Sequence, residues 1–142
     1  MFFAETNSTH DWDAPADWDQ IRDRVLAYLD AGAMVSISMG TGPDRYGPQA
    51  PAKVPLGFLT DGTWIWALGV AYYVRRYNLP IDPDLLAHMR ENGFIVPIPD
   101  SDTVSEALAQ IDARSAQYVA AHRDIKLENI WQQNSQQVER NG

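Results

Sequence analysis

Cysteine is absent from the 142-residue sequence, which excludes disulfides, thiol nucleophiles and cysteine-ligated metals. Histidine is scarce. His10, His88 and His122 are the only three, and none belongs to a pair at metal-binding spacing such as His-Glu-x-x-His. No Gly-x-Ser-x-Gly elbow marks a serine nucleophile. The longest apolar run, Trp64 to Val74, falls well short of the ~20 residues of a membrane-spanning helix. Met1 to Glu5 lacks the basic start of an export signal, so a cytoplasmic location is the expectation. Positive charge is also in short supply: 11 basic residues against 19 acidic ones leave a net charge of −8. That balance disfavours nucleic-acid binding through phosphate neutralisation.

What the sequence does contain is material for one core, with 45% apolar residues, 11% aromatic residues and five Trp. Length and composition predict a single domain over 1–142, with a flexible lead-in at 1–12 and a polar tail at 124–142 rich in Gln and Asn. A helix is expected from about Ala16 to Ala31, where Trp18, Ile21, Val25, Tyr28 and Leu29 fall on one face. Pro15 suits its first turn, and Gly32 is expected to stop it in a left-handed conformation. Val35, Ile37 and Met39 alternate with Ser36, Ser38 and Gly40, the pattern of a half-buried strand. A long Pro- and Gly-rich connection over 40–55 follows.

Leu56 to Thr60 and Thr63 to Ala67 flank Asp61-Gly62, a strong hairpin signal. Helices are expected over Leu68 to Tyr77 and from Asp82-Pro83 to Gly93, the second with Asp82 as N-cap. Phe94 to Ile98 reads as an edge strand, its prolines keeping it out of a sheet interior. A last helix is expected over Asp102 to His122, capped by Thr103 and Glu106 and burying Val104, Leu108, Ile111 and Tyr118. The fold class is therefore α+β: a small antiparallel or mixed sheet of about four strands packed with four to five helices.

Charge is unevenly placed. Residues 1–34 hold seven acids and two bases, residues 35–81 two acids and four bases, and residues 82–128 nine acids and four bases. In His10-Asp11-Trp12-Asp13 and Asp17-Trp18-Asp19, carboxylates alternate with indoles, and Asp23 extends the acidic series. Such a stretch steers a basic partner and anchors it through an aromatic ring. It also reads simply as a helix start whose acids favour the dipole. Asp11 and Asp13 beside His10 are read as solvated groups, and no metal or cofactor is expected.

Trp64 and Trp66 share one strand face and are read first as core, otherwise as a binding ledge. Gly40-Thr41-Gly42 lacks the Lys-Ser/Thr pair of a phosphate loop. Arg45, Tyr46 and Lys53 combine with Arg75 and Arg76 either as an anion pocket or as bases offsetting nearby acids. His88 reads as a surface or satisfied histidine, and no catalytic motif is found.

The stretch Leu56-Gly57-Phe58-Leu59-Thr60-Asp61-Gly62-Thr63-Trp64-Ile65-Trp66 is followed by Ala71-Tyr72-Tyr73-Val74 and by Ile81-Asp82-Pro83-Asp84-Leu85-Leu86-Ala87-His88-Met89. Over 56–93 this pattern resembles small acidic immunity proteins of bacterial, notably actinobacterial, polymorphic toxin systems. The resemblance implies a non-enzymatic protein that binds a cognate secreted toxin, a nuclease or NAD-consuming enzyme, and occludes its active site. The expected partner is a protein with a basic or anion-binding site, with neither nucleic acid nor membrane involved. The contacts expected for it are Asp11, Trp12, Asp13, Asp17, Asp19 and Asp23, with Arg45 and Tyr46. Two other readings stand beside it. One is a nucleotide-like ligand module using the 40–55 loop and the Trp hairpin; the other is an enzyme of unrecognised type using His88 or Asp44.

Overall fold

A computed structural model describes residues 1–47 and 53–117. Residues up to Leu108 form one compact unit, and those from Ala109 cluster as a second. The expected tail at 124–142, Tyr118 and the end of the last helix lie outside the described residues.

The elements in order are β1 (Phe2–Phe3), a 3-10 turn (Asn7–Thr9), α1 (Trp18–Ala31), β2 (Ala33–Gly42), β3 (Val54–Thr60), β4 (Trp64–Ala67), α2 (Leu68–Tyr77) and α3 (Pro83–Glu91). A further helix, α4, covers 101–117. The strands form one mixed sheet in the order β1-β4-β3-β2, with β1 parallel to β4 and the other pairs antiparallel. The α+β class and the small sheet are as the sequence pattern implies. No helix among the described residues is long and apolar enough to cross a membrane.

α1 buries the predicted stripe of Trp18, Ile21, Val25, Tyr28 and Leu29. This stripe packs with Leu59 and Trp66 of the hairpin, Val70 and Val74 of α2, and Leu85 and Met89 of α3. Each such large apolar side chain stabilises the fold by about 1.5–3 kcal/mol relative to exposure. α3 begins as its sequence signals, with Pro83 in the first turn and the Asp82 carboxylate accepting from Asp84 N–H at 3.0 Å.

The structure departs from the sequence pattern in five places. Residues 1–12 are not a loose lead-in. Phe2 and Phe3 pair with Trp64 and Ile65, Glu5 N–H donates to Asp82, and buried Asn7 donates to Val70 O at 3.1 Å. Their non-local partners, which no local pattern announces, hold them.

Gly32 is not left-handed: its φ is −58° and ψ 151°. The glycine is required because a Cβ there would stand 2.5 Å from the Trp66 ring, a close approach of backbone to indole. In β2, register shifts between Met34 and Ser36 and between Ile37 and Thr41 reset the alternation. Ile37 is consequently 69% exposed instead of facing the core.

Phe94 to Ile98 forms no strand. Gly93 and Phe94 both have φ near 60°, which turns the chain away from the sheet and leaves Ile98 96% exposed. Finally, α4 starts one residue early, and its cap differs from the expected one. Its cap is Asp100, whose carboxylate accepts from Thr103 N–H at 2.8 Å, so Thr103 lies inside the helix. Ala107 and Ile111 are its buried positions, while Leu108 is exposed.

The Gly32–Trp66 approach sets a stability test. Gly32→Ala is expected to destabilise by about 1–3 kcal/mol, the usual result of forcing extra volume into a packed site. Urea unfolding measures it; a change below ~0.5 kcal/mol, the range of ordinary surface substitutions, would contradict the packing account.

Candidate functional site

Three groupings of polar side chains stand out. The first lies at the hairpin turn. Asp61 is fully buried, and its Oδ1 accepts from Thr63 N–H at 2.9 Å and Trp64 N–H at 2.7 Å, a local turn that Asp-Gly sequences favour. Its Oδ2 accepts from the Tyr28 hydroxyl of α1 at 2.6 Å and lies 2.9 Å from His88 Nε2 of α3. The carboxylate requires a proton on that imidazole nitrogen. The Asn92 amide, 3.2 Å from both the ring nitrogen and the Tyr28 oxygen, then donates to Tyr28. Burial, then the Asp61 hydrogen bond, pushes the Tyr28 hydroxyl well above the usual tyrosine range, so it remains a donor. His88 is therefore a satisfied histidine, as one sequence reading had it. Asp61, Tyr28 and Asn92 were not anticipated as its partners.

The second grouping surrounds Asp44. This buried carboxylate accepts from the hydroxyls of Tyr72 (2.7 Å) and Tyr77 (2.8 Å) and from Tyr46 N–H (2.8 Å), with Arg76 Nε at 3.8 Å. Burial opposes ionisation, but the hydrogen bonds from Tyr72, the Tyr46 backbone and Tyr77, with the Arg76 charge, outweigh it. The Asp44 carboxyl is held below the usual carboxylate range. Tyr72 is pushed up to about 12 by its bond to Asp44 and by burial. Tyr46 also packs on the rings of Tyr73 and Tyr77, and the Tyr73 hydroxyl accepts from Arg45 N–H at 3.0 Å. The start of the 43–47 loop is thus pinned to α2.

Beside Asp44 opens a cleft of about 580 Å³ between the hairpin, α2 and the end of α1. Leu59, Trp66 and Leu68 form its apolar wall, with Tyr72, Arg75 and Arg76 on the polar side. Arg75 and Asp30, which both line the cleft, form an ion pair. Arg75 and Arg76 thus meet at one cavity, but Arg45, Tyr46 and Lys53 do not line it. Of the five residues that one sequence reading grouped as an anion pocket, Arg75 and Arg76 line this cleft, while Asp44, Arg45 and Tyr46 are held against α2. The Trp hairpin divides as well: Trp66 is 1% exposed and donates to Leu29 O, while half-buried Trp64 meets the Phe2 ring at a tilt, with centres 5.2 Å apart.

The third grouping is the acidic stretch. Asp11, Asp13, Asp19 and Asp23 are exposed. Half-buried Trp12 lies flat against His10, with ring centres 4.6 Å apart. Asp17 is different, forming a two-bond pair with Arg90 of α3 at 2.8 and 3.0 Å. The Arg90 hydrogen bonds hold its carboxyl below the usual range. Trp18 is core and donates to Asn78 Oδ1 at 2.9 Å. Of the eight expected contacts, Asp17 is engaged with Arg90, and Arg45 and Tyr46 sit on α2. The other five remain on the N-terminal stretch and α1. Among the described residues no three His, Asp or Glu side chains gather as a metal site requires.

No family model matches the chain, and comparison with curated proteins and with solved structures returns no match.

Two outcomes test these networks. Asp61→Ala orphans four donors at about 1–3 kcal/mol each, so a loss of at least ~3 kcal/mol is expected in urea unfolding. Asp61→Asn keeps an acceptor for the turn and costs less. Asp44, with its folded-state pKa depressed, contributes stability that is present above the ordinary value of 3.8 and lost as pH falls through the folded value. Asp44→Asn is therefore expected to be less stable than the natural chain at pH 7, with the gap closing in acid. A gap that does not change with pH would refute the ionised, hydrogen-bonded carboxylate.

Proposed function

We propose that this chain is a recognition protein that binds a cognate secreted toxin, a nuclease or NAD-consuming enzyme, and occludes its active site. The observation that carries this reading is that Asp11 and Asp13, which flank half-buried Trp12 in the chain, and Asp19 and Asp23, one turn apart on α1, are all exposed. Exposed carboxylates on one stretch of chain, two of them flanking an aromatic ring in sequence, suit a basic or anion-binding cleft: charge accelerates encounter, and the ring supplies buried contact area. The surface is also held in place. Thr9 Oγ1 donates to Thr6 O, Trp12 rests on His10, and Arg90 clamps Asp17 at the start of α1. A preorganised surface loses less conformational freedom on binding. The resemblance of residues 56–93 to immunity proteins points the same way, and that hairpin and helix form the frame on which the acidic stretch rests.

The experiment mixes the purified chain with the protein encoded by the adjacent gene. Binding kinetics are measured from low to high salt. A complex is expected whose association slows as salt rises, and the combined Asp11→Asn, Asp13→Asn, Asp19→Asn and Asp23→Asn variant should associate about 10- to 100-fold more slowly at low salt. No complex, or one formed only at high salt, would overturn the proposal.

A further inference from the structure

We propose that Ile95 and Ile98, on the loop between α3 and α4, anchor the bound toxin by entering an apolar pocket with a basic rim. This rests on the toxin-binding reading and adds to it what holds the complex once formed. Charge sets the rate of encounter, whereas buried apolar side chains set the lifetime of the complex. Single apolar residues on a surface are ordinary. These two are 74% and 96% exposed, close together in the chain, on a segment that the rest of the fold holds firmly.

The holding points alternate with the exposed residues. Phe94 and Val96 pack against the core, and Pro99 Cβ stands 3.5 Å from where a Cβ on Gly62 would lie, beside the hairpin turn. Phe94 N–H donates to Met89 O at 2.9 Å, and Ile95 N–H donates to Asn92 O at 3.1 Å. Phe94 has a φ of 59°, a conformation that a bulky residue keeps only where its surroundings enforce it, and such residues gather at functional sites. Pro97 and Pro99 fix their own φ and bias Val96 and Ile98 toward extended backbone. A segment fixed in this way loses little freedom on binding.

Its charge selects the partner. Glu91, Asp100, Asp102 and Glu106 are exposed on either side of the two isoleucines in the chain, and no Lys, Arg or His occurs from Glu91 to Glu106. The nearest bases are engaged: Arg90 bonds to Asp17, and the Arg24 guanidinium lies over the Phe94 ring, 6.0 Å from its centre. The Arg24 contact also sets the loop beside α1, the helix that carries exposed Asp19 and Asp23. Acids so placed repel the phosphates of anionic lipid and nucleic acid and favour a basic protein surface.

The test measures association and dissociation rates of the full chain, and of its combined Ile95→Ser and Ile98→Ser variant, with the protein encoded by the adjacent gene. The variant is expected to dissociate about 10-fold faster or more, with association changed less than ~2-fold. The four-fold Asp→Asn variant should show the opposite split, slower association with less effect on dissociation. Both isoleucines face solvent, so the double variant should fold, and an unchanged urea midpoint checks this. If a complex forms and the double variant dissociates no faster, this inference fails and the toxin-binding reading stands. If no complex forms, both fail. The natural chain is also tested alone, by flotation with phosphatidylcholine vesicles and by sedimentation. Vesicle binding that the double variant loses, or a dimer that it dissolves, would overturn the inference in favour of a membrane or a second copy.

Discussion

The fold is organised around one carboxylate that has no access to water. An ionised group in that position requires hydrogen bonds from the protein, because its hydration is lost and nothing else compensates. Asp61 receives them from its own turn, from Tyr28 on α1 and from His88 on α3. Three elements far apart in sequence must therefore meet at one point. The apolar core drives collapse, but apolar contact is non-directional and tolerates many arrangements. The Asp61 bonds are directional. They fix which face of α1 lies toward the hairpin turn and where along α3 the chain must stand, and Asn92 fixes the Tyr28 oxygen in turn.

α2 is the second organising element, because the cleft and the acidic stretch both lean on it. Its C-terminal carbonyls are covered by left-handed Asn78 and by the Arg22 guanidinium of α1, which donates to Val74 O at 3.0 Å. It carries buried Tyr73 and half-buried Tyr72 and Tyr77, which hold residues 44–46 through Asp44 and the Arg45 backbone. Its inner side meets the 3-10 turn through Asn7 and Val70 O, which seats the N-terminal stretch and thus the acidic surface that follows it. One helix of ten residues positions the loop, the cleft and the start of the acidic stretch.

Much of this was legible where the cause is local. Asp-Gly between two apolar alternations marked the hairpin, Asp82-Pro83 marked the start of α3, and the 3.6-residue stripe of α1 marked its buried face. The features that were missed have non-local causes. The parallel pairing of Phe2 and Phe3 depends on where β4 ends up, which two residues cannot signal. Gly32 looked like a helix stop by position, but the presence of Trp66 on another element is what demands a glycine there. Asp61 announced its turn and gave no sign of its burial, because His88 is 27 residues away and on a different element. The cleft was half visible: Arg75 and Arg76 could be named, but which residues joined them depended on how Asp44 folds the loop away.

The charge segregation seen in the sequence acquires a physical purpose in three dimensions. In a chain of net charge −8, an unscreened carboxylate repels its neighbours, so acids survive in a folded surface either by pairing or by exposure. Both solutions are present. Asp17, Asp30, Asp44 and Asp61 are the paired acids, each matched to Arg90, Arg75, the tyrosine hydroxyls or His88, and each ties two elements together. Asp11, Asp13, Asp19 and Asp23 face solvent, Asp23 with Arg22 Nη1 4.0 Å from its carboxylate, and their charge reaches a partner in solution as that of buried Asp44 and Asp61 does not. Replacing a paired acid therefore affects stability first, whereas replacing an exposed one relieves repulsion and affects association. Asp30 at the cleft stands between the two: it is half exposed, and its tie to Arg75 is a surface ion pair of modest worth.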